Sequence, residues 1–201
     1  MDNCYDLELI NNKIDVFKEY VQDDSNSLNR IMNKYLLYGI PYIFESNEDI
    51  YFQLKEEISE HFGIQQTQIF VVGSAKLGFS IAPHKLFKHV NEDSDVDVAI
   101  ICDSLFDYFW KETYKYNITI VSRNEEEDRN YRMFLDYLYK GWVRPDYLPC
   151  HMRKEWFEFF KKLYGKYERK IAAGIYRDNE FFMDYHRTNL KRIRRELCNE
   201  L

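Results

Sequence analysis

The sequence predicts an α/β (α+β) protein, with a small mixed β-sheet flanked by helices and extra helices at both ends. Short β-branched and apolar runs at 69–72 and 96–101 have the length of buried strands. The segments around them repeat apolar residues at helical spacing. The chain contains only 7 glycines and 4 prolines, which is typical of helices joined by few long loops.

Length and composition indicate one folded domain. A chain of 201 residues can bury a substantial core, and we expect a single domain over 1–201 with its central part at about 64–178. Charged residues at 31% and hydrophobic residues at 45% exclude disordered and fibrous classes. No apolar run approaches the roughly 20 residues of a membrane helix, so we expect no membrane insertion. The acidic start lacks the pattern of a secretory signal, which predicts a cytoplasmic protein.

Two helices are predicted before the first strand. Apolar residues at helical spacing predict a helix near 27–38, which Gly39-Ile40-Pro41 ends because proline cannot continue it. A repeat every four residues predicts a helix near 48–62, and it consists of Ile50, Leu54, Ile58 and Phe62. Polar capping residues precede this second helix and Gly63 follows it. The N-terminal helices therefore span 27–62.

After the strand at 96–101, helices and short strands are expected to follow one another. The residues from Leu105 to Tyr114 predict a helix, and those from Ile118 to Val121 a short strand. Aromatic residues at helical spacing predict core helices at 131–139 and 155–164, with a turn at 141–146 between them. A strand at 170–176 completes the core.

The C-terminal helical segment, 151–201, is basic. It holds 13 Lys and Arg against 8 Asp and Glu, a net charge of +5, whereas residues 1–150 hold 15 against 26, a net charge of −11. Its closing helix, about 179–197, is expected to bury Phe182, Tyr185, Leu190, Ile193 and Leu197. The opposite face carries Arg187, Lys191, Arg194 and Arg195. This face is either a solvated surface or a contact for nucleic acid or triphosphate.

The segment with chemical content joins Gly73-Ser74, after the first strand, to Asp95 and Asp97 at the second. Without a Cβ, glycine lets backbone N–H groups approach an anion, and a helix N-terminus favours phosphate. Two carboxylates two residues apart in a strand leave the same face. Such close carboxylates repel unless a cation lies between them, and oxygen ligands suit Mg²⁺ or Mn²⁺.

A phosphate-binding loop of the G-x-x-x-x-G-K-[ST] type is excluded. Gly73, Gly78 and Ser80 have its spacing. Phe79, however, stands where the lysine must reach the phosphates.

The order of these motifs resembles the signature of the DNA polymerase β-like nucleotidyltransferase superfamily. A strand ending in Gly73-Ser74 precedes, by about twenty residues, the run Ser94-Asp95-Val96-Asp97-Val98-Ala99. The resemblance covers about 64–178 and implies a small stand-alone bacterial-type member. It also implies an α/β core with a mixed sheet, two divalent ions, and transfer of a nucleoside monophosphate from an NTP or dNTP to a hydroxyl acceptor, with loss of pyrophosphate.

The resemblance also implies the roles of individual residues. Asp95 and Asp97 would be catalytic and would hold the Mg²⁺ or Mn²⁺ ions, while Gly73 and Ser74 would bind the triphosphate. Two further positions, Lys76 and Ser80, are either phosphate ligands or plain surface residues.

The third carboxylate of the superfamily has no counterpart inside the strand at 170–176. The candidates for it are Asp136, Asp146 and Asp178. The alternative hypothesis is therefore a catalytically impaired module that senses a nucleotide or binds a partner on the same fold.

The acceptor stays open between a nucleotide, an oligonucleotide, a small molecule and a protein. The resemblance suggests a setting in phage defence or in a toxin–antitoxin system, with a protein partner. His84 and His89, between the two motifs, are expected at the surface. An exposed subset of the aromatic residues in the helices at 131–139 and 155–164 could stack a base.

Overall fold

The structure is a computed structural model that describes residues 6–199, and it confirms the α/β (α+β) class. The described residues form eight α-helices: α1 (Leu7–Gln22), α2 (Leu28–Met32), α3 (Glu48–Phe62), α4 (Gly73–Leu77), α5 (Asp103–Thr119), α6 (Glu125–Tyr139), α7 (Cys150–Tyr167) and α8 (Asn179–Asn199). No helix within this part of the chain combines the length and the apolar character needed to cross a membrane.

Four strands form one mixed sheet. They are β1 (Ile69–Val72), β2 (Val96–Ile101), β3 (Trp142–Val143) and β4 (Ile171–Tyr176), in the order β1-β2-β4-β3. The short strand β3 is antiparallel to β4, with Trp142 opposite Tyr176 and Val143 opposite Ile175. The strands expected at 69–72, 96–101 and 170–176 are confirmed.

The chain divides into two compact units. The first consists of the described residues up to Lys55, of Val71–Asp97 and of the described residues from Met183. The second consists of Glu56–Phe70 and Val98–Phe182.

The first unit contains α1, a helix that the sequence analysis did not predict. The Asp6 carboxylate caps it by accepting the backbone N–H of Leu9 at 3.0 Å. Its buried face consists of Ile10, Ile14, Phe17 and Val21, a spacing that is itself helical and could have revealed the helix. Near its end, the Gln22 side chain donates to the carbonyl oxygen of Leu197 in α8, at 3.0 Å.

The second unit is built around aromatic side chains. Trp156 of α7 is 3% exposed, and its ring lies 4.9 Å from Phe62, 5.4 Å from Phe109 and 5.0 Å from Phe160, between centroids. Aromatic rings at such distances contribute both buried area and edge or stacking contacts. The expectation that the aromatic helices supply core residues is confirmed for this face of α7.

The helices expected near 27–38 and 48–62 are present. The second coincides with α3, whereas the first begins as α2 and continues as a π-helical turn over Asn33–Leu37. The predicted start and stop residues are local signals, and they act as expected here.

The prediction of a strand at 118–121 is wrong. Ile118 and Thr119 are the last residues of α5, and the Thr119 hydroxyl donates to the carbonyl oxygen of Lys115, one turn earlier, at 3.2 Å. Val121 is fully exposed, and Ile118 is 64% exposed. A short apolar run has no preference for a strand unless a neighbouring strand and a buried face are available.

Two further details differ from expectation. The segment expected as a turn at 141–146 contains β3, followed by a single 3₁₀ turn at Pro145–Tyr147. Tyr185 of α8, expected in the core, is 49% exposed, whereas Phe182 and Leu190 are buried as predicted.

Candidate functional site

The two sequence motifs of the candidate site lie together in the first unit. Gly73 and Ser74 are the first residues of α4, directly after β1. Asp97 is the second residue of β2, and Asp95 immediately precedes this strand rather than lying within it as expected. Val96 and Val98 are 1% and 3% exposed, which confirms that the residues between and after the aspartates anchor the strand in the core.

The backbone of Gly73 lies against the Asp97 carboxylate. A Cβ built on Gly73 would be 2.8 Å from Asp97 Oδ2, closer than real Cβ contacts allow. Gly73 also has φ +67°, in the left-handed region that favours glycine. The positive φ favours glycine at this position, and a side chain there would force the Asp97 carboxylate to move. This close approach brings the Gly-Ser turn next to one of the two predicted metal ligands.

The site is open to solvent and presents oxygen donors. Asp97 is exposed, and Ser74 and Asp95 are half-buried. Carboxylate oxygens are the ligands that Mg²⁺ and Mn²⁺ prefer, and Asp97 Oδ2 occupies the space beside Gly73 that a side chain there would need. The donor set therefore suits a divalent ion. Within residues 6–199, no three His, Cys, Asp or Glu side chains are grouped so that they could hold a metal.

The three candidates for a third acid lie in the second unit, and two of them have structural contacts. The Asp146 carboxylate accepts from the Arg144 guanidinium at 2.8 Å. Asp178 caps α8, since its carboxylate accepts the backbone N–H groups of Glu180 at 2.8 Å and Phe181 at 3.1 Å. Asp136 is exposed on α6.

Lys76 is buried, which contradicts its interpretation as a plain surface residue. Its side chain is 8% exposed, and its ammonium donates to the carbonyl oxygens of Tyr38 at 2.7 Å and Gly39 at 2.5 Å. These carbonyls follow the π-helical turn and are 38 and 37 residues away in sequence, so no local pattern could have revealed the contact. The contacts hold α4 in place, and we leave Lys76 out of the triphosphate site.

Burial lowers the pKa of Lys76 from 10.5 to about 8, against a smaller opposite effect of the Glu45 carboxylate. Because the unfolded chain then holds more protons than the folded one between these values, stability should rise with pH over this range. We expect the free energy of unfolding of the wild type, relative to Lys76→Met, to increase by roughly 3 kcal/mol between pH 7.5 and pH 10.5. Urea denaturation across this range measures the difference.

Lys191→Met, at an exposed position of α8, is the control for that experiment. The difference in the free energy of unfolding between the wild type and Lys191→Met should not increase in this way with pH. A difference between wild type and Lys76→Met that stays constant with pH would show that Lys76 keeps an ordinary pKa in the folded protein.

Ser80 is also buried, and its interpretation as a surface residue is wrong. Its side chain is 8% exposed, and its hydroxyl accepts the backbone N–H of Ala82 at 3.1 Å. Its backbone pairs with the returning chain, donating to Lys88 and accepting from Phe87, each at 2.8 Å. The neighbouring Phe79 is 1% exposed, which agrees with the exclusion of a phosphate-binding loop that needs a lysine at this position.

The cationic face of α8 is partly used inside the protein. The Arg194 guanidinium donates to the carbonyl oxygens of Val21 at 2.7 Å and Asn26 at 2.6 Å. Arg187 donates to the Asn29 side chain at 3.1 Å and pairs with Asp184. These two arginines therefore stabilise the first unit. The remaining members of the face are exposed, and they are Lys191 and Arg195.

The histidines between the motifs differ in environment. His84 is exposed, as expected. His89 is half-buried, and its Nε2 lies 2.9 Å from Asn11 Oδ1. A surface depression near it is lined by Leu7, Phe87, Lys88, His89, Val90 and Asn91, and does not include the two aspartates.

In comparisons with known proteins, no family model, no curated protein and no solved structure matches the chain.

Proposed function

We propose that this protein is a metal-dependent nucleotidyltransferase. It transfers a nucleoside monophosphate from an NTP or dNTP to a hydroxyl acceptor and releases pyrophosphate. The observation that supports this proposal most directly is the approach of the Gly73 backbone to the Asp97 carboxylate. A phosphate-binding turn and a metal-binding carboxylate must lie side by side for one Mg²⁺-bound triphosphate to contact both.

In the proposed site, Asp95 and Asp97 hold Mg²⁺ or Mn²⁺ through their carboxylate oxygens. When bound, the ions would lower the pKa of the acceptor hydroxyl and neutralise charge on the leaving pyrophosphate. The buried Val96 and Val98 hold the strand, and with it Asp97, in a fixed position. Preorganised charge of this kind costs no rearrangement during the reaction.

The triphosphate would lie at the Gly73-Ser74 turn. Without a Cβ at Gly73, a phosphate oxygen can approach the backbone of the turn, beside the Asp97 carboxylate, and the Ser74 hydroxyl can donate to it. The chain itself does little covalent chemistry in such a reaction, because positioning and charge stabilisation supply most of the rate enhancement.

The test incubates the purified protein with each labelled NTP and dNTP, with Mg²⁺ and separately with Mn²⁺, in the presence of mixed nucleotides, oligonucleotides and proteins as acceptors. We expect one donor to give a labelled product and pyrophosphate. The Asp95→Ala/Asp97→Ala double variant should give neither. Product formation that is equal in the double variant would overturn the proposal.

A second candidate function is a nucleotide-sensing or partner-binding module without turnover. The observation that favours it is the engagement of Asp146 by Arg144 and of Asp178 as the cap of α8. This alternative expects nucleotide binding that needs metal and both aspartates, measured by calorimetry, with no pyrophosphate released from any donor.

A further inference from the structure

One exposed face of α7 alternates cations with aromatic rings. Lys154, Phe157, Lys161 and Tyr164 follow one another at steps of three, four and three residues, which places them along one side of a helix. We call these four residues the α7 stripe. Phe157 is 44% exposed and Tyr164 is 54% exposed, and both lysines are exposed.

The stripe is not the apolar face by which α7 packs. That face is buried and consists of Met152, Trp156, Phe160 and Leu163. The two exposed rings therefore lie outside the core of the second unit, although their sequence pattern alone suggested core residues.

The positive charge of the stripe is only weakly compensated. Helix α7 carries five Lys and Arg against two Glu, a net charge of +3. Within residues 6–199, Lys161 has no ion pair. The Lys154 ammonium lies 3.9 Å from the Glu158 carboxylate, and the side chains of Lys154 and Glu158 are 74% and 60% exposed. Exposed pairs of this kind contribute little, so both ammonium groups stay available to a partner.

Of the other three cations of α7, two have intramolecular contacts, and the third, Lys162, is exposed but does not belong to the stripe. Lys166 pairs with Glu57, and the Arg153 guanidinium donates to the carbonyl oxygen of Asp146 at 3.4 Å. The two lysines beside the exposed rings therefore differ from Lys166 and Arg153, which have partners within the protein.

Charge and shape together favour one class of partner. Flat rings stack on nucleobases, and ammonium groups placed between them neutralise the phosphates that join those bases. Equivalent residues of the stripe lie about 10 Å apart along the helix.

We propose that the α7 stripe binds a single-stranded nucleic acid, with phosphates at Lys154 and Lys161 and bases on Phe157 and Tyr164. This inference does not rest on the proposed transferase activity, because it needs neither metal nor nucleotide donor. It also applies to any base sequence, since stacking requires only an aromatic face.

The test measures fluorescence anisotropy of labelled oligo(dT) and oligo(U) with the full chain at low salt and in EDTA. We expect saturable binding that weakens as salt increases. Phe157→Ala and Tyr164→Ala should each weaken binding at least about fivefold. Lys154→Ala and Lys161→Ala should each weaken it and reduce the slope of log K against log salt by about 0.7.

Phe52→Ala is the matched control. Phe52 is 53% exposed on α3, and it lies one turn from Glu48 and Asp49, which repel phosphate. Its replacement should leave binding unchanged, and circular dichroism should show that every variant is folded. The Asp95→Ala/Asp97→Ala variant should bind like the wild type, which separates this result from that of the transferase assay.

Three outcomes would overturn the inference. One is the absence of oligonucleotide binding by the folded wild type. Another is an equal loss of oligonucleotide affinity in Phe52→Ala and Phe157→Ala. The last is binding of polyphosphate or of anionic phosphatidylserine vesicles that is as strong as oligonucleotide binding and indifferent to the two aromatic replacements, since it would show charge attraction without base stacking.

Discussion

Replacing Asp97 with asparagine is expected to abolish nucleotide transfer while the protein stays folded. The change keeps the size of the side chain but removes the negative charge that would hold a divalent ion beside Gly73. Metal ions contribute several kcal/mol to such transition states, so the rate should fall by about a thousandfold or more. The measurement is the initial rate of pyrophosphate release with the donor that the wild type uses.

The stability of Asp97→Asn should be close to that of the wild type. Asp97 is exposed, and substitutions at exposed positions usually change the free energy of unfolding by less than about 0.5 kcal/mol. Asp93→Asn, at an exposed position shortly before β2, is the matched control and should keep full activity. Unfolding of Asp97→Asn would mean that the carboxylate is structural, and retained activity would mean that it binds no essential metal.

Gly73→Ala is expected to impair nucleotide transfer by displacing the Asp97 carboxylate. Its Cβ would lie 2.8 Å from Asp97 Oδ2, so either the carboxylate or the turn must move. The positive φ adds about 1–2 kcal/mol of backbone strain for any residue with a Cβ. We expect transfer to fall by at least about a hundredfold, because small displacements of reacting groups have effects of this size.

Gly63→Ala separates the effect of backbone strain from the effect of the contact with Asp97. Gly63 has φ +64°, close to the +67° of Gly73, but a Cβ there would meet no atom within 4 Å. It should lose about the same 1–2 kcal/mol in urea denaturation, with transfer unchanged. Mn²⁺ titration gives a second readout, since Gly73→Ala alone should weaken the ion's binding. Equal behaviour of the two variants would show that contact between Gly73 and Asp97 has no functional role.

Much of the secondary structure follows from local patterns. The strands at β1 and β2 and the helix α3 have the bounds expected from their apolar runs and from the residues that flank them. A buried strand or an amphipathic helix can be recognised from a few residues, because backbone geometry sets its period and the residues that suit its ends. Helix α1 carries the same kind of signal in the spacing of its buried residues.

The candidate site was predictable in composition but not in geometry. The order of Gly73-Ser74 and Asp95-Val96-Asp97 identified the residues, and the alternation of buried and exposed positions in β2 is as expected. The contact between Gly73 and Asp97 depends on the folded chain, because α4 and a long irregular segment connect the two residues and no sequence period describes the path of that segment. The burial of Ser80 in that segment was unforeseen for the same reason.

The sequence by itself determined the class of this protein, the position of most helices and strands, and the pair of motifs that motivates the proposed chemistry. Only the tertiary structure decided that Lys76 is buried on two distant carbonyls and that Phe157 and Tyr164 are exposed on α7. The physical reason is the range of the interactions. Helical and strand periods arise between residues a few positions apart, whereas burial depends on which distant segments pack against a side chain.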